Sequence, residues 1–291
     1  MSAAAAARAY VPVAGAGTYL RAAWGSPVAE KARVIGVLLV LWELTARFAG
    51  INPLVFPAAS TVLATWWRVL ATGQILPYAQ QSLFMLLSAM AIATALALVL
   101  VAAAVLSRTG RTLLETLTAM FNPLPAIALL PLALLWLGLG PKSLLFVLVH
   151  SVLWPLSLNA YTGFVTVPPT LVRVGQNIGL SGWGLVSGIL LPAAFPYLLT
   201  GLKIGWAFAW RTVIAAELVF GVAGERGGLG WYIYKNRYDL YTAEVFAGLL
   251  TIIAIGLLVE SCVFQTIERR TVVRWGMQAR GGGDRVGAME G

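Results

Sequence analysis

The sequence predicts an all-α polytopic membrane protein of about six transmembrane helices, on three observations. Hydrophobic residues make up 59% of the 291 and charged residues only 11%. The mean hydropathy is +0.84, far from the roughly 25% charged norm of soluble domains. Several intervals longer than a bilayer is thick contain no Asp, Glu, Lys or Arg, and an uninterrupted apolar span must be helical because lipid cannot satisfy its backbone groups.

The elements follow in order. Val34 to Gly50, with Glu43 inside it, is the first span. Residues 69 to 107 carry no charge, and their most apolar part, Leu83 to Leu106, is the second. The charge-free intervals 116 to 141 and 143 to 172 give a third span ending near Leu137 and a fourth from Ser143 to Tyr161, separated by Gly138-Leu-Gly-Pro141. The fifth runs from Tyr197 to Phe220 with Lys203, Arg211 and Glu217, and the sixth from Ala243 to Ile267. Between spans, Ser60 to Leu70 with Trp66 and Trp67 suits an interfacial helix. Three segments are expected: a cytoplasmic N-terminal stretch 1–32, a transmembrane domain 33–275, and a flexible tail 276–291 around Gly281-Gly-Gly283. The N-terminus lacks the apolar core of a removable signal peptide before residue 34.

The net charge of +9 sits between the spans and not in a basic stripe interleaved with aromatics, which argues for topology and against nucleic acid. With the N-terminus inside, twelve basic residues fall on the cytoplasmic side: Arg8, Arg21, Lys31, Arg33, Arg108, Arg111, Arg173, Arg269, Arg270, Arg274, Arg280 and Arg285. Six fall outside: Arg47, Arg68, Lys142, Arg226, Lys235 and Arg237. That asymmetry places both termini in the cytoplasm and requires an even number of spans. The single cysteine, Cys262, excludes an internal disulfide and a Cys-rich metal site. One histidine, His150, makes no metal site either.

One cytoplasmic loop, about 162–196, is long but poor in charge. After Pro168-Pro169, Thr170 can cap a helix from Leu171 to Ile178, which Gly179 ends. A second segment, Trp183 to Leu190, puts Trp183, Val186 and Ile189/Leu190 on one face before Pro192 interrupts it. An apolar helix-turn-helix outside the membrane needs a cover, either a protein partner or the bundle itself.

Gly179, nine intervening residues, Ile189, and then Leu191 and Pro192 resemble the second half of the coupling motif of binding-protein-dependent ABC importer permeases of type I. Further stretches are similar to the nitrate/sulfonate/taurine permeases: Pro123 to Pro131, Leu135 to Gly140, Leu191 to Tyr197, Gly201 to Ile204, Ala216 to Leu218 and Gly227 to Tyr232. The resemblance covers roughly residues 35 to 275. It departs at Arg173-Val174-Gly175, where the motif carries Glu-Ala-Ala, so a base replaces the acid. The resemblance implies a permease subunit of a bacterial inner-membrane importer for a small anion such as a sulfonate, taurine or nitrate. It implies a second copy of the permease, two cytoplasmic ATPase subunits and a periplasmic solute-binding protein as partners. No cofactor is then expected in this chain, ATP and Mg being bound by the ATPase. The coupling residues it marks are Arg173, Gly175, Gly179, Trp183, Ile189, Leu191 and Pro192. In agreement, the nearest string to a phosphate-cradling loop, Gly138-Leu-Gly-Pro-Lys-Ser143, fails because Pro141 lacks a backbone donor.

Ionisable residues inside a bilayer are functional candidates by default. Lys203, Arg211 and Glu217, with Pro125 and Pro131 in an interrupted third span, form a candidate translocation path; the alternatives are snorkelling for Lys203, a structural pair or bound water for Arg211, and a partner on another helix or subunit for Glu217. Pro123, Pro125 and Pro131 should kink or unwind that span. Gly201-x-x-x-Gly205 permits close approach of another helix, which suits the fifth span to a central interface. Two other classes compete. An intramembrane enzyme needs convergent acids, histidines or a nucleophile, and no catalytic set is found. A secondary transporter or channel would work without an ATPase, but no internal repeat is seen.

Overall fold

The computed structural model describes residues 27–220 and 227–275 and contains only helices and turns among them. The N-terminal segment before residue 27, Arg226, and the tail from 276 with Arg280 and Arg285 lie outside the described residues. By contact density the chain divides into Met1–Ala64 and Thr65–Gly291.

In the first unit, α1 (Pro27–Phe48) leads to the start of α2 (Ala59–Ala71). Glu43 joins them: its carboxylate accepts the Ser60 N–H and hydroxyl, each at 2.9 Å, and pairs with Arg47 one turn on at 2.6 Å. An acid at the first turn of α2 meets the positive end of that helix. The uncharged stretch of α1 between Arg33 and Glu43 is short for a full crossing, and the expected first span is not among the described helices long and apolar enough to cross a membrane.

The second unit holds α3 (Leu76–Leu106), α4 (Arg108–Phe121), α5 (Leu130–Leu137) after a tight turn at Ala126–Leu129, and α6 (Pro141–Val165). There follow α7 (Pro169–Asn177), α8 (Gly182–Leu185), α9 (Leu191–Phe220), α10 (Leu229–Tyr238), α11 (Thr242–Leu258) and α12 (Gln265–Glu268). Among the described residues, four helical runs are long and apolar enough to cross a membrane: α3, α6, Gly182–Val219 and Thr242–Val273. A fifth is the pair α4 and α5, bent by 90° at a short break. The expected kink in the third span is therefore a right-angle bend. Pro123 and Pro125 occupy the break, whereas Pro131 sits harmlessly in the first turn of α5, where no N–H donor is needed.

Helix α6 is the hub, packed against α3 and α9. Small residues make this possible. Ala89, Ala93 and Ala97 stack one turn apart on α3 and are fully buried. On α9, a Cβ at Gly201 would lie 3.0 Å from Asn159 and Leu156, and one at Gly205 would lie 2.9 Å from Val152. The helix that Gly201 and Gly205 admit is thus α6 of the same chain, not one across a central interface. The small-residue pattern was legible, but its partner was not.

Two local expectations are corrected. Thr170 is no cap: α7 begins at Pro169, two residues before the expected Leu171, with Pro168 in the capping position and no side-chain cap bond. Pro192 does not interrupt its helix. Val186–Leu190 forms a widened turn in which Leu191 N–H reaches back five residues to the Val186 carbonyl, so Pro192 enters the first turn of α9 where its missing donor costs nothing. The fifth span consequently starts at the loop itself. The expected interfacial helix is α2, but only Trp67 is outward; Trp66 donates its indole N–H to Thr251 on α11 at 3.0 Å.

Candidate functional site

The turn between α7 and α8 is built by Gly179. Its φ of +85° is the left-handed conformation that ends helices. Gly179 N–H reaches the Gln176 carbonyl at 3.0 Å and Leu180 N–H the Gly175 carbonyl at 2.9 Å, the paired bonds of a Schellman motif. Gly175 does the packing: a Cβ there would stand 2.7 Å from Leu185 and 3.0 Å from Ile189. Ile189 is therefore half-buried inside the helix pair. Trp183 is 77% exposed, and Leu171, Val174 and Ile178, at helical spacing along α7 and its C-cap, are exposed too, by 42%, 55% and 70%. The exposed apolar face is thus mostly α7 plus Trp183, where the sequence pointed to the second helix. Arg173 is exposed on the same helix, Leu191 is exposed and Pro192 is half-buried at the start of α9.

A cavity of about 440 Å³ opens where α4 breaks. Asn122 to Ile127 form one wall, Ser151 and Trp154 of α6 a second, and Phe208, Arg211 and Thr212 of α9 the third. Pro125 and Arg211, singled out separately in the sequence, meet here. Arg211 is exposed, its Nε–H donates to the Ala207 carbonyl at 3.0 Å, and its guanidinium lies 5.1 Å from the Phe208 ring centre. Among the described residues, no acidic side chain lines the cavity. A lone cation among hydroxyl and amide groups favours an anion. Replacing Arg211 by glutamine is expected to lower anion uptake by about tenfold or more, measured as initial rate in proteoliposomes, with assembly of the complex unchanged.

Pro131, Lys203 and Glu217 are not at this cavity. Lys203 is satisfied by the C-terminal helical run, its Nζ lying 2.7 Å from Glu268 and 3.8 Å from Glu260. Glu217 is 2% exposed and sits in a closed network. The Ser82 hydroxyl of α3 lies 2.9 Å from both carboxylate oxygens, Gly230 N–H donates to Oε2 at 2.9 Å, and Leu229 N–H donates to Ser82 at 2.8 Å. Beside it, Glu244 accepts from Tyr232 and pairs with Arg68. Both acids fasten α10 to the bundle.

The sequence passed over a second polar feature. The side-chain polar atoms that are buried without a partner among the described residues are Thr118 Oγ1, both ring nitrogens of His150, Trp154 Nε1 and Ser157 Oγ. All lie where α4 faces α6. Each such atom costs roughly 1–3 kcal/mol.

Against known proteins, residues 95–272 match the family described as binding-protein-dependent transport system inner membrane component. The chain is 30% identical to the taurine transport system permease protein TauC of Escherichia coli, over 82% of this chain and 89% of the relative. It is 28% identical to the nitrate import permease protein NrtB of Synechocystis, over 80% of this chain and 86% of the relative.

Proposed function

Because this chain belongs to the family of binding-protein-dependent transport system inner membrane components and is a membrane-embedded permease subunit, we propose that the turn from α7 to α9 couples it to a separate cytoplasmic ATPase. The observation that carries this reading is the exposed apolar face of Leu171, Val174, Ile178 and Trp183, held rigid by the Schellman turn and by Gly175. An apolar surface of this kind outside the bilayer is stable when a protein covers it. The widened turn at Val186–Leu190 makes the loop continuous with α9, so a push on the turn is transmitted along the helix that carries Arg211.

Two copies of the chain, two ATPase subunits holding ATP and Mg, and a periplasmic solute-binding protein make up the working importer, with both termini of the permease in the cytoplasm. ATP binding closes the ATPases, the turns move with them, and α4 to α9 open the path outward. The solute is a small anion of the sulfonate or nitrate kind, supported by the names of the relatives and by the acid-free cavity around Arg211 and Pro125. Reconstitution with the neighbouring ATPase and binding protein tests this reading: uptake of taurine or nitrate must require ATP, and uptake without ATP would point instead to a secondary transporter or channel. Gly179→Arg adds the cost of a left-handed non-glycine, about 1–2 kcal/mol, and a charge at the docking face. It is expected to abolish ATP-driven uptake while membrane insertion persists, checked by membrane fractionation beside the transport assay.

A further inference from the structure

Orphaned polar atoms are rare in protein interiors, and here they are gathered on one seam. Along α6, His150, Trp154, Ser157 and Tyr161 succeed one another at spacings of one helical turn, on a single face. Along α4 the facing positions are Arg111, Leu114, Thr118 and Phe121, running the opposite way. At one end the seam opens on the 440 Å³ cavity of Arg211, which His150, Trp154 and Phe121 line. At the other lies a second cavity of about 330 Å³, bordered by Arg108, Arg111 and Tyr161. Of the four orphan-bearing residues, His150 and Trp154 line the first cavity, and Thr118 and Ser157 lie in the interval between it and the second.

What closes the interval is apolar. The Phe121 ring stacks on Trp154 with centres 5.2 Å apart and 17° between planes, and meets His150 edge-on at 6.2 Å. Further along, Leu114 is 2% exposed and shares a cluster with Ala160 and Tyr161. Phe121 is the last residue of α4, immediately before the break at Asn122–Pro125, where Pro123 and Pro125 have no N–H to hold a helical hydrogen bond. In the closed seam the hydroxyls, the imidazole and the indole N–H have no use. A bundle holding one arrangement would pack better with valine, phenylalanine or leucine at those places.

We propose that the α4–α6 seam is a gate that opens during transport, and that Thr118, His150, Trp154 and Ser157 then line the route taken by the anion between the two cavities. This rests on the importer reading given above. In the open arrangement Phe121 leaves Trp154, and the hydroxyls and ring N–H groups donate to water or to the passing anion. Arg211 on one side and Arg108 on the other hold the anion at each end, Arg111 being paired with Glu115 at 2.9 Å, and neutral donors between them let it leave.

The test uses the full complex of permease, ATPase and binding protein in proteoliposomes. Cys262, exposed and the chain's only cysteine, is first replaced by serine. Single cysteines are then placed as Thr118→Cys and Ser157→Cys, with Ala89→Cys in the α3–α6 core as the buried control. Labelling by a small anionic methanethiosulfonate is followed without nucleotide and with ATP plus vanadate. Labelling of both seam cysteines is expected to differ by about tenfold or more between the two states, and nitrate or taurine should slow it in the open state, while Ala89→Cys stays unlabelled in both. Seam cysteines as inert as Ala89→Cys in both states, in a complex that still takes up solute with ATP, would overturn the gate and leave the importer reading intact. Absence of both uptake and binding-protein-stimulated ATP hydrolysis in the Cys262→Ser parent would overturn the importer reading and the anion route together. Thr118→Val gives a readout independent of labelling. By relieving an orphan of the closed seam it should raise the melting temperature and lower uptake by about threefold or more. Unchanged or faster uptake with the same rise in stability would show a purely structural threonine and overturn the gate.

Discussion

Replacing Gly228 by alanine is expected to lower the stability of the purified chain in detergent by about 3–5 kcal/mol, the combined cost of overpacking and of breaking a buried hydrogen-bonded network. The added Cβ would stand 2.0 Å from Glu217 Oε1 and 2.3 Å from Ser82 Oγ. Those are the atoms that hold α10 against α3 and α9, so neither can retreat without giving up its bonds. Gly230 is boxed in similarly, by the Ile214 carbonyl at 2.5 Å and Glu217 Cβ at 2.6 Å. A fall in melting temperature of about 10 °C would match the upper part of that range. Ser82→Ala leaves the carboxylate and Leu229 N–H each short of a partner without any clash, and should cost about 1–3 kcal/mol. Wild-type melting for Gly228→Ala would mean that Glu217 is free to leave the network, which would restore it as a candidate for the translocation path.

The second large effect is expected at Ile178. This side chain is 70% exposed at the end of α7, next to the glycine turn. An aspartate there buries nothing in the isolated chain, so melting temperature and membrane insertion should match wild type. In the complex the same carboxylate would be desolvated against the apolar surface that covers Leu171, Val174 and Trp183, at a cost of about 2–3 kcal/mol. Affinity for the ATPase, measured by titration of the purified subunits, should then fall roughly 30- to 150-fold. Leu185→Asp makes the contrast, since Leu185 packs inward on Gly175 and its loss should damage the turn itself. Equal ATPase affinity for Ile178→Asp and wild type would remove α7 from the docking surface.

These two sites differ in how far the sequence disclosed them. The glycine turn at Gly179 was legible because its signal is local: a glycine ending one short helix, and apolar residues at helical spacing around it. What local pattern could not give was which apolar residues face outward. Gly175 decided that, by drawing Leu185 and Ile189 inward and leaving Leu171, Val174 and Ile178 exposed. Pro192 misled for a related reason. A proline breaks a helix only if the regular bond to the residue four back is required, and a widened turn removes the requirement. Glu217, Lys203 and Arg211 looked alike in sequence as three charges in one span. In the fold they part company: a buried clamp, an ion pair with the last helix, and an exposed cation on a cavity. The partners that decide this, Ser82 and Glu268, lie 135 and 65 residues away.

By itself the sequence determined the helical, membrane-spanning character of the chain, the approximate order of its spans, the break in the third and the glycine turn. Each follows from properties summed along a short stretch: apolar length against bilayer thickness, missing proline donors, and the left-handed freedom of glycine. Tertiary structure alone decided which helix the Gly201 and Gly205 face receives, which charges are paired, and that four residues with unsatisfied polar atoms lie on one α4–α6 seam. Pairing and desolvation depend on what comes within about 3 Å of an atom in three dimensions, and residues far apart in the chain supply those neighbours.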